Sequence, residues 1–137
     1  MAGVVGRGQG FLRLNLGSRA GVKRGQAVFV GQAIVGEILD ANEWGSSVSL
    51  PTSSRFAMVV EGRGVVSGSK RADGWAVGRG GRVRLTKVLK EDQISEGDLV
   101  VTVGGEGEPA GLILGKILKV ESPSGIYQEA EVEPAVK

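Results

Sequence analysis

The chain has 137 residues, of which 41% are hydrophobic and only 4% aromatic, so it is long enough for one ordinary domain or two very small ones that share a core. The absence of cysteine and histidine excludes disulfides, thiol chemistry, Ser-His-Asp triads and most zinc sites. The net charge is only +2, but it is unevenly distributed: residues 1–90 hold 14 Lys/Arg and 5 Asp/Glu, whereas residues 91–137 hold 3 Lys/Arg and 10 Asp/Glu. This segregation is either a feature of the solvated surface or an electrostatic dipole that favours self-association.

Short apolar runs separated by turn residues predict an all-β protein. Leu12 and Leu14 alternate with Arg13, and Ala130 and Val132 alternate with glutamates, as expected for strands with one buried face. The 24 glycines leave few windows in which a helix could form. The predicted strands are, in chain order, 3–7, 10–16, 26–31, 33–40, 46–50, 56–61, 64–68, 75–78, 82–89, 98–103, 111–121 and 126–133. So many short strands are typical of a barrel pair or a sandwich.

Turn residues and uninterrupted apolar runs refine this assignment. Runs of apolar residues that would be buried on both faces predict central strands at Ala27–Val30, Leu99–Val101 and Leu112–Leu114. Turns are predicted at Gly17-Ser18, Gly31-Gln32, Glu61-Gly62, Ala72-Asp73-Gly74 and Ser122–Gly125. No stretch approaches the roughly 18 apolar residues of a membrane span, so we expect either a cytosolic protein or a fragment of a longer, anchored one.

An internal repeat is the clearest organisational feature. The strand that follows Gly25 leads to a second strand with Gly36 at its centre, and the strand that follows Gly97 leads to one with Gly115 at its centre. A glycine inside a strand marks a bulge or a close approach of two backbones. Two related β-units of this kind fit two small barrels.

Residue patterns for cofactor chemistry are missing. The glycine-rich segments 6–10 and 78–81 resemble phosphate loops, but no helix is predicted after either, so both are interpreted as hairpin turns. No cofactor, metal site or catalytic residue is predicted. An enzyme that uses carboxylates alone is the weakest hypothesis, because the acidic residues fall in turns or on exposed strand faces.

A small barrel that binds nucleic acid or a ligand in the cytosol is the alternative hypothesis. A basic strand region is formed by Arg79, Arg82, Arg84, Lys87 and Lys90. Small barrels bind single strands by combining such charge with stacked aromatic rings. Only Trp75 lies near this region in the sequence, which counts against nucleic-acid binding.

Several segments together resemble the rod shape-determining protein MreC family, over roughly residues 3–134. Phe11–Val28 is similar to the family's opening, a leucine-rich strand followed by Gly-Ser and Gly-Val-x-x-Gly. Ala33–Ile38 and Ser46–Thr52 resemble two further strand segments, and Gly97–Ile117 resembles its Gly-Asp-x-Val-x-Thr … Pro-x-Gly-x-x-x-Gly-x-Val signature. This chain departs from the pattern at Val103, where the family usually has Ser, and at Glu108, where an aromatic commonly precedes the proline.

The resemblance implies two small six-stranded β-barrels in a chymotrypsin-like arrangement without catalytic residues. We expect residues 1–52 to form the first unit, completed by the C-terminal strand 126–133, and residues 53–137 to form the second. The resemblance also implies a non-catalytic scaffold of the peptidoglycan elongation machinery, located in the periplasm and tethered to the cytoplasmic membrane only by a missing N-terminal anchor. Its implied partners are a second copy of itself (as dimer or filament), a class B penicillin-binding protein, MreD and, indirectly, MreB.

A scaffold of this kind works by presenting surfaces to its partners. Trp44 and Trp75 sit beside turn glycines, which favours their exposure, whereas a core position is the alternative for every aromatic residue, including Phe56. The predicted contact surface, for a partner or for self-association, consists of Phe11, Trp44, Trp75, Gly105, Glu106, Glu108 and Tyr127.

Overall fold

The computed structural model describes residues 4–8, 11–63, 72–104, 109–123 and 125–136, and within them the prediction of an all-β protein is confirmed. One short 3-10 turn, Ser18–Ala20, is the only helical element of these ranges, and no helix there has the length and apolar composition to span a bilayer. The predicted strand 64–68 lies outside the described residues. The strands are β1 (Val4–Gly8), β2 (Phe11–Leu14), β3 (Ala27–Val30), β4 (Ala33–Ala41), β5 (Ser46–Ser49), β6 (Ala57–Arg63), β7 (Ala72–Arg79), β8 (Arg82–Leu89), β9 (Leu99–Thr102), β10 (Ile113–Glu121) and β11 (Tyr127–Pro134).

Strands β6 to β11 close into a six-stranded antiparallel barrel. The order of pairing is β10, β11, β8, β7, β6 and β9, and β9 returns to β10. Alternate residues of these strands point inward: Val83 and Leu85 of β8 and Ala130 of β11 are fully buried. Closure leaves the barrel without unpaired edges and provides the main hydrophobic core.

The C-terminal strand belongs to this barrel, and the prediction that it completes the first unit is wrong. Strand β11 pairs with β10 along Gly115–Glu121 and with β8 along Val83–Leu89. The acidic exposed face of β11 lies beside the basic exposed face of β8, so the pairing also matches charges. The division of the chain near residue 52 stays a prediction.

Strands β1 to β5 form an open sheet in the order β1, β2, β5, β4, β3. Within the described ranges no pairing joins β1 to β3, so a second six-stranded barrel is not observed there. Strand β3 lies at the end of this order, and its Phe29 and Val30 are 45% and 71% exposed. In the part of the chain that the structure describes, β3 pairs with β4 alone. The prediction that Ala27–Val30 is a central strand is therefore wrong there, because apolar composition does not reveal how many neighbours a strand has.

The two parts of the sheet meet where β4 and β10 begin. Ala33 and Ile113 pair in parallel, and the Ile113 amide donates to the carbonyl of Gln32 at 2.6 Å. Ile34 of β4 is packed into the main core with the barrel residues. Strands β1 to β5 have a smaller hydrophobic core cluster of their own, which consists of Leu14, Ile38 and Val48.

The internal repeat is also a structural repeat. The Gly25 amide donates to the Ile38 carbonyl and the Gly97 amide to the Ile117 carbonyl, each at 2.8 Å. Both glycines have φ of +90°, a conformation that favours glycine over residues with a Cβ. In each copy the side chain of the next residue, Gln26 or Asp98, accepts a hydrogen bond from the amide three positions before it.

Two predicted turns lie inside strands. Glu61-Gly62 falls in β6, and Ala72-Asp73-Gly74 falls in β7. A Cβ on Gly74 would lie 2.9 Å from the Thr86 carbonyl oxygen, so this glycine permits a close approach to β8. By contrast, Gly80 and Gly81 connect β7 to β8 with φ of +60° and +75°, which confirms a two-residue hairpin turn.

Candidate partner-binding surface

Val59 and Trp75 form an exposed apolar pair on the outside of the barrel. They are directly opposite each other on β6 and β7 and are 46% and 43% exposed. Their sequence neighbours Val60 and Ala76 are fully buried, so strand alternation turns Val59 and Trp75 outward. The Trp75 carbonyl accepts a hydrogen bond from the Thr86 hydroxyl at 3.1 Å, which ties β7 to β8 at this point.

This pair lines a groove of about 240 Å³ between the barrel and the first sheet. Ala57 and Met58 extend the barrel wall, and Gly25, Ala27 and Glu37 form the opposite side. The lining is mostly apolar with one carboxylate, which suits a hydrophobic side chain of a partner peptide that also carries a polar or basic group.

The connection between β9 and β10 borders the same groove. Gly104 and Pro109 are among the lining residues. The Thr102 hydroxyl donates to the Pro109 carbonyl and accepts from the Leu112 amide, both at 3.0 Å, so the two ends of the connection are held together. The predicted contact residues Gly105, Glu106 and Glu108 lie outside the described residues, but the residues on either side of them stand at the groove.

Trp44 is exposed, as expected, but does not line this groove. It lies in the connection between β4 and β5 and is 67% exposed. The Arg19 guanidinium stacks over its ring at 4.5 Å from the ring centre. The structure therefore separates the two tryptophans instead of combining them in one surface.

The other predicted aromatic positions are divided between core and surface. Phe56 is 1% exposed and belongs to the main core. Phe11 is partly buried in β2, opposite Ser49 of β5. Tyr127 is 43% exposed and lies opposite Leu89, beside the 66%-exposed Ile126, in a second apolar patch that is separate from the groove lining.

Sequence reasoning missed Val59, Leu89 and Ile126. The alternation of β6 offered a signal for Val59, because its neighbours Met58 and Val60 occupy the other face. Ile126 directly follows the Ser122–Gly125 turn, where an apolar side chain often lacks a partner. The pairing of Val59 with Trp75 could not be seen, because it depends on the register between two strands.

The three arginines of the basic strand region pair with glutamates from the acidic end of the chain, whereas Lys87 and Lys90 of the same region are exposed. Arg84 donates to Glu121 at 2.9 Å and to Glu129 at 3.1 Å, Arg82 pairs with Glu131, and Arg79 lies 3.8 Å from Glu129. Burial lowers the pKa of Arg84, but hydrogen bonds to both glutamates outweigh it and raise the pKa above its ordinary value. The glutamates therefore offset the charge of these arginines, and the charge segregation along the sequence is partly cancelled in the fold.

Within the described ranges no three carboxylates cluster as a metal site would require. The deeply buried carboxylate of Asp98 has a structural task, since it accepts a hydrogen bond from the Ser95 amide at 2.9 Å. The exposed apolar residues and the edge strand β3 can bind a partner through apolar contacts and strand addition.

Comparison with known proteins identifies the family over almost the whole chain. Residues 5–137 match the family described as rod shape-determining protein MreC, barrel core. A comparison with curated proteins found no significant match.

Solved structures share the fold. MreC of Listeria monocytogenes is 24% identical with a TM-score of 0.85, over 99% of this chain and 68% of that one. The major periplasmic domain of the cell shape-determining filament MreC is 18% identical with a TM-score of 0.83, over 98% and 86%. The complex of penicillin-binding protein PBP2 and MreC from Helicobacter pylori matches at 16% identity with a TM-score of 0.74, over 92% and 77%.

Proposed function

This chain belongs to the rod shape-determining protein MreC family, and on that premise we propose that it is a scaffold that binds a cell-wall synthesis enzyme outside the cytoplasmic membrane. The single observation that carries the proposal is the groove between the two parts of the sheet, with Val59 and Trp75 exposed in it. Exposed aromatic side chains in an apolar recess are the usual energetic anchors of protein interfaces.

The proposed partner is a class B penicillin-binding protein. A relative with the same fold forms a complex with PBP2, which supports this choice. An extended apolar segment of the partner would place one side chain between Val59 and Trp75, with the Glu37 carboxylate near its polar end. Contact with MreD, and indirectly with MreB, belongs to the same proposal and rests on family membership.

The proposed location of this chain and its proposed self-association also rest on family membership. A relative is described as a periplasmic domain and as part of a filament, which supports an extracytoplasmic position and self-association for this chain. We propose that an N-terminal anchor tethers the full-length protein to the membrane. The edge strand β3, with Phe29 and Val30 exposed, is the proposed site at which copies associate.

The chymotrypsin-like pair of barrels remains a proposal for the first sheet. Its five described strands would need one further pairing between β1 and β3 to close. A barrel pair without histidine or cysteine would act through its surfaces, in keeping with a family that determines cell shape.

A binding assay tests the proposal. The extracytoplasmic region of the class B penicillin-binding protein from the same organism is immobilised, and binding of this chain is measured by biolayer interferometry. Trp75→Ala is expected to weaken binding at least thirtyfold, since truncation of an aromatic anchor costs about 2 kcal/mol or more. Trp44→Ala is the matched control, because it removes an equally large exposed ring that does not line the groove.

Self-association is followed by sedimentation velocity with Phe29→Ala on the proposed edge strand, which is expected to weaken it, and with Trp75→Ala as the control. Circular dichroism establishes that each variant is folded. If wild type and Trp75→Ala bind the partner with equal affinity, the groove is not the binding site. If the wild type does not bind, the class B penicillin-binding protein is not the partner.

A further inference from the structure

The connection from β2 to β3 crosses one end of the first sheet and holds the β4–β5 turn in place. The Ser18 amide donates to the Asn42 carbonyl at 2.8 Å, and a Cβ on Gly17 would lie 2.0 Å from that same oxygen. The Asn42 side chain in turn accepts hydrogen bonds from the amides of Trp44 and Gly45, at 3.0 and 2.8 Å. This turn is therefore fixed from both sides.

This rigid turn presents Trp44 to solvent. The residue is 67% exposed, and tryptophan is enriched at interfaces and in membrane-interface belts, where one end of its ring is apolar and the other is in contact with water. Arg19 stacks on one face of the ring and also lies 3.9 Å from Glu43. With two thirds of the residue exposed, the indole remains accessible to a ligand surface.

Exposed cations outnumber exposed carboxylates in the segments next to this tryptophan. The exposed cations at this end of the sheet are Arg13, Arg19, Lys23 and Arg24, and the exposed carboxylates are Asp40 and Glu43. Arg13 reaches the turn, since its guanidinium lies 3.9 Å from the position of a Cβ on Gly45. Lys23 and Arg24 belong to the connection that holds the β4–β5 turn, and the Val22 amide just before them donates to the Gly17 carbonyl at 3.3 Å. Two cations thus remain in excess, and the surface is complementary to an anionic one.

We infer that this end of the first sheet docks on the surface of an anionic lipid bilayer. Tryptophan prefers the boundary between lipid headgroups and acyl chains. Each basic side chain near an anionic membrane surface adds about 1 kcal/mol of favourable binding free energy. A flat, charged surface suits a single projecting ring with cations around it, whereas a protein partner would favour a recess such as the groove at Trp75. The inference rests on the proposed position outside the membrane, and it is independent of the enzyme that the groove binds.

Tryptophan fluorescence tests the docking, because the chain has two tryptophans that can be observed separately. Trp75→Phe leaves Trp44 as the only reporter, and Trp44→Phe leaves only Trp75. Each is titrated with vesicles of 70% phosphatidylcholine and 30% phosphatidylglycerol at low salt, and with phosphatidylcholine alone. The emission of Trp44 is expected to shift to the blue with the anionic vesicles only, and that of Trp75 to stay unchanged.

Charge variants in the Trp75→Phe background give the second measurement. Replacing Arg19, Lys23 and Arg24 with glutamine is expected to lower partitioning into the anionic vesicles by at least tenfold. Raising the NaCl concentration to 0.5 M should have a similar effect. Glutamine at Arg79 is the control and should leave partitioning unchanged, since Arg79 lies on the barrel.

Three results would overturn the inference. They are a blue shift of Trp44 that is equal with neutral vesicles, no shift with either vesicle, and a response of Trp44 to polyglutamate but not to vesicles. The last would identify an acidic macromolecule as the ligand. None of them affects binding of the penicillin-binding protein, which Trp75→Ala reports.

Discussion

Arg84 of β8 donates to a Glu129 oxygen of β11 at 3.1 Å, across the seam between two strands that are 45 residues apart in the chain. The same guanidinium also contacts Glu121 of β10, so one partly buried cation spans three neighbouring strands. This relationship connects the basic middle of the chain with its acidic end.

Arg84→Met is expected to lower the free energy of unfolding by about 1 kcal/mol, because two carboxylates lose their shared cation. Urea denaturation at low salt measures this loss, and 1 M NaCl should reduce it. Arg79→Met serves as the control, since its side chain is 62% exposed and its pairing at 3.8 Å is loose. An equal loss for both variants would mean that the seam does not depend on Arg84.

Gly36→Ala and Gly115→Ala are each expected to destabilise the fold by about 2 kcal/mol or more. A Cβ would lie 2.4 Å from the Ser49 carbonyl oxygen at the first position and 2.0 Å from that of Glu133 at the second, so the backbones would have to separate. Thermal unfolding measures the effect. Gly62→Ala should be neutral or slightly stabilising, because its nearest contact would be an ordinary 3.5 Å from Ile94.

Asp98→Ala is expected to cost about 2 kcal/mol, since it removes the acceptor of the Ser95 amide at a site that is 1% exposed. Gln26→Ala removes the same contact in the other copy of the repeat, but its hydrogen bond to Lys23 is exposed to water and should be worth about 0.5 kcal/mol. Urea denaturation compares the two. If the costs were equal, burial would not control the strength of this turn.

Phe56→Ala is expected to destabilise the protein by about 3–5 kcal/mol, because the ring is fully enclosed in the barrel core. Phe29→Ala makes the same chemical change on the edge strand, where the ring is 45% exposed, and should cost about 1 kcal/mol or less. The comparison is made at a protein concentration low enough to avoid self-association. A small effect at Phe56 would contradict the core assignment.

The order and approximate limits of most strands could be predicted, because alternation and turn glycines act over a few residues. Gly80-Gly81 is an example, since both residues adopt positive φ in the hairpin that the sequence indicates. The prediction fails at Gly62 and Gly74, since a glycine inside a strand looks the same in the sequence as a glycine in a turn. Of these two, only Gly74 is needed for a close approach of two strands. Of the exposed apolar pair at the candidate site, the sequence predicted Trp75 as a contact residue but not Val59, which lies opposite it on β6.

By itself the sequence determined an all-β chain with two copies of one turn motif, because repeated glycines and apolar alternation are local and need no knowledge of neighbours. Only the tertiary structure decided which strands pair, and therefore that the C-terminal strand lies between β10 and β8 in the six-stranded barrel. The physical reason is that the backbone hydrogen bonds between two strands are the same whatever the side chains are. Which strands pair is therefore decided by the burial and the charge of side chains that meet only in the folded chain.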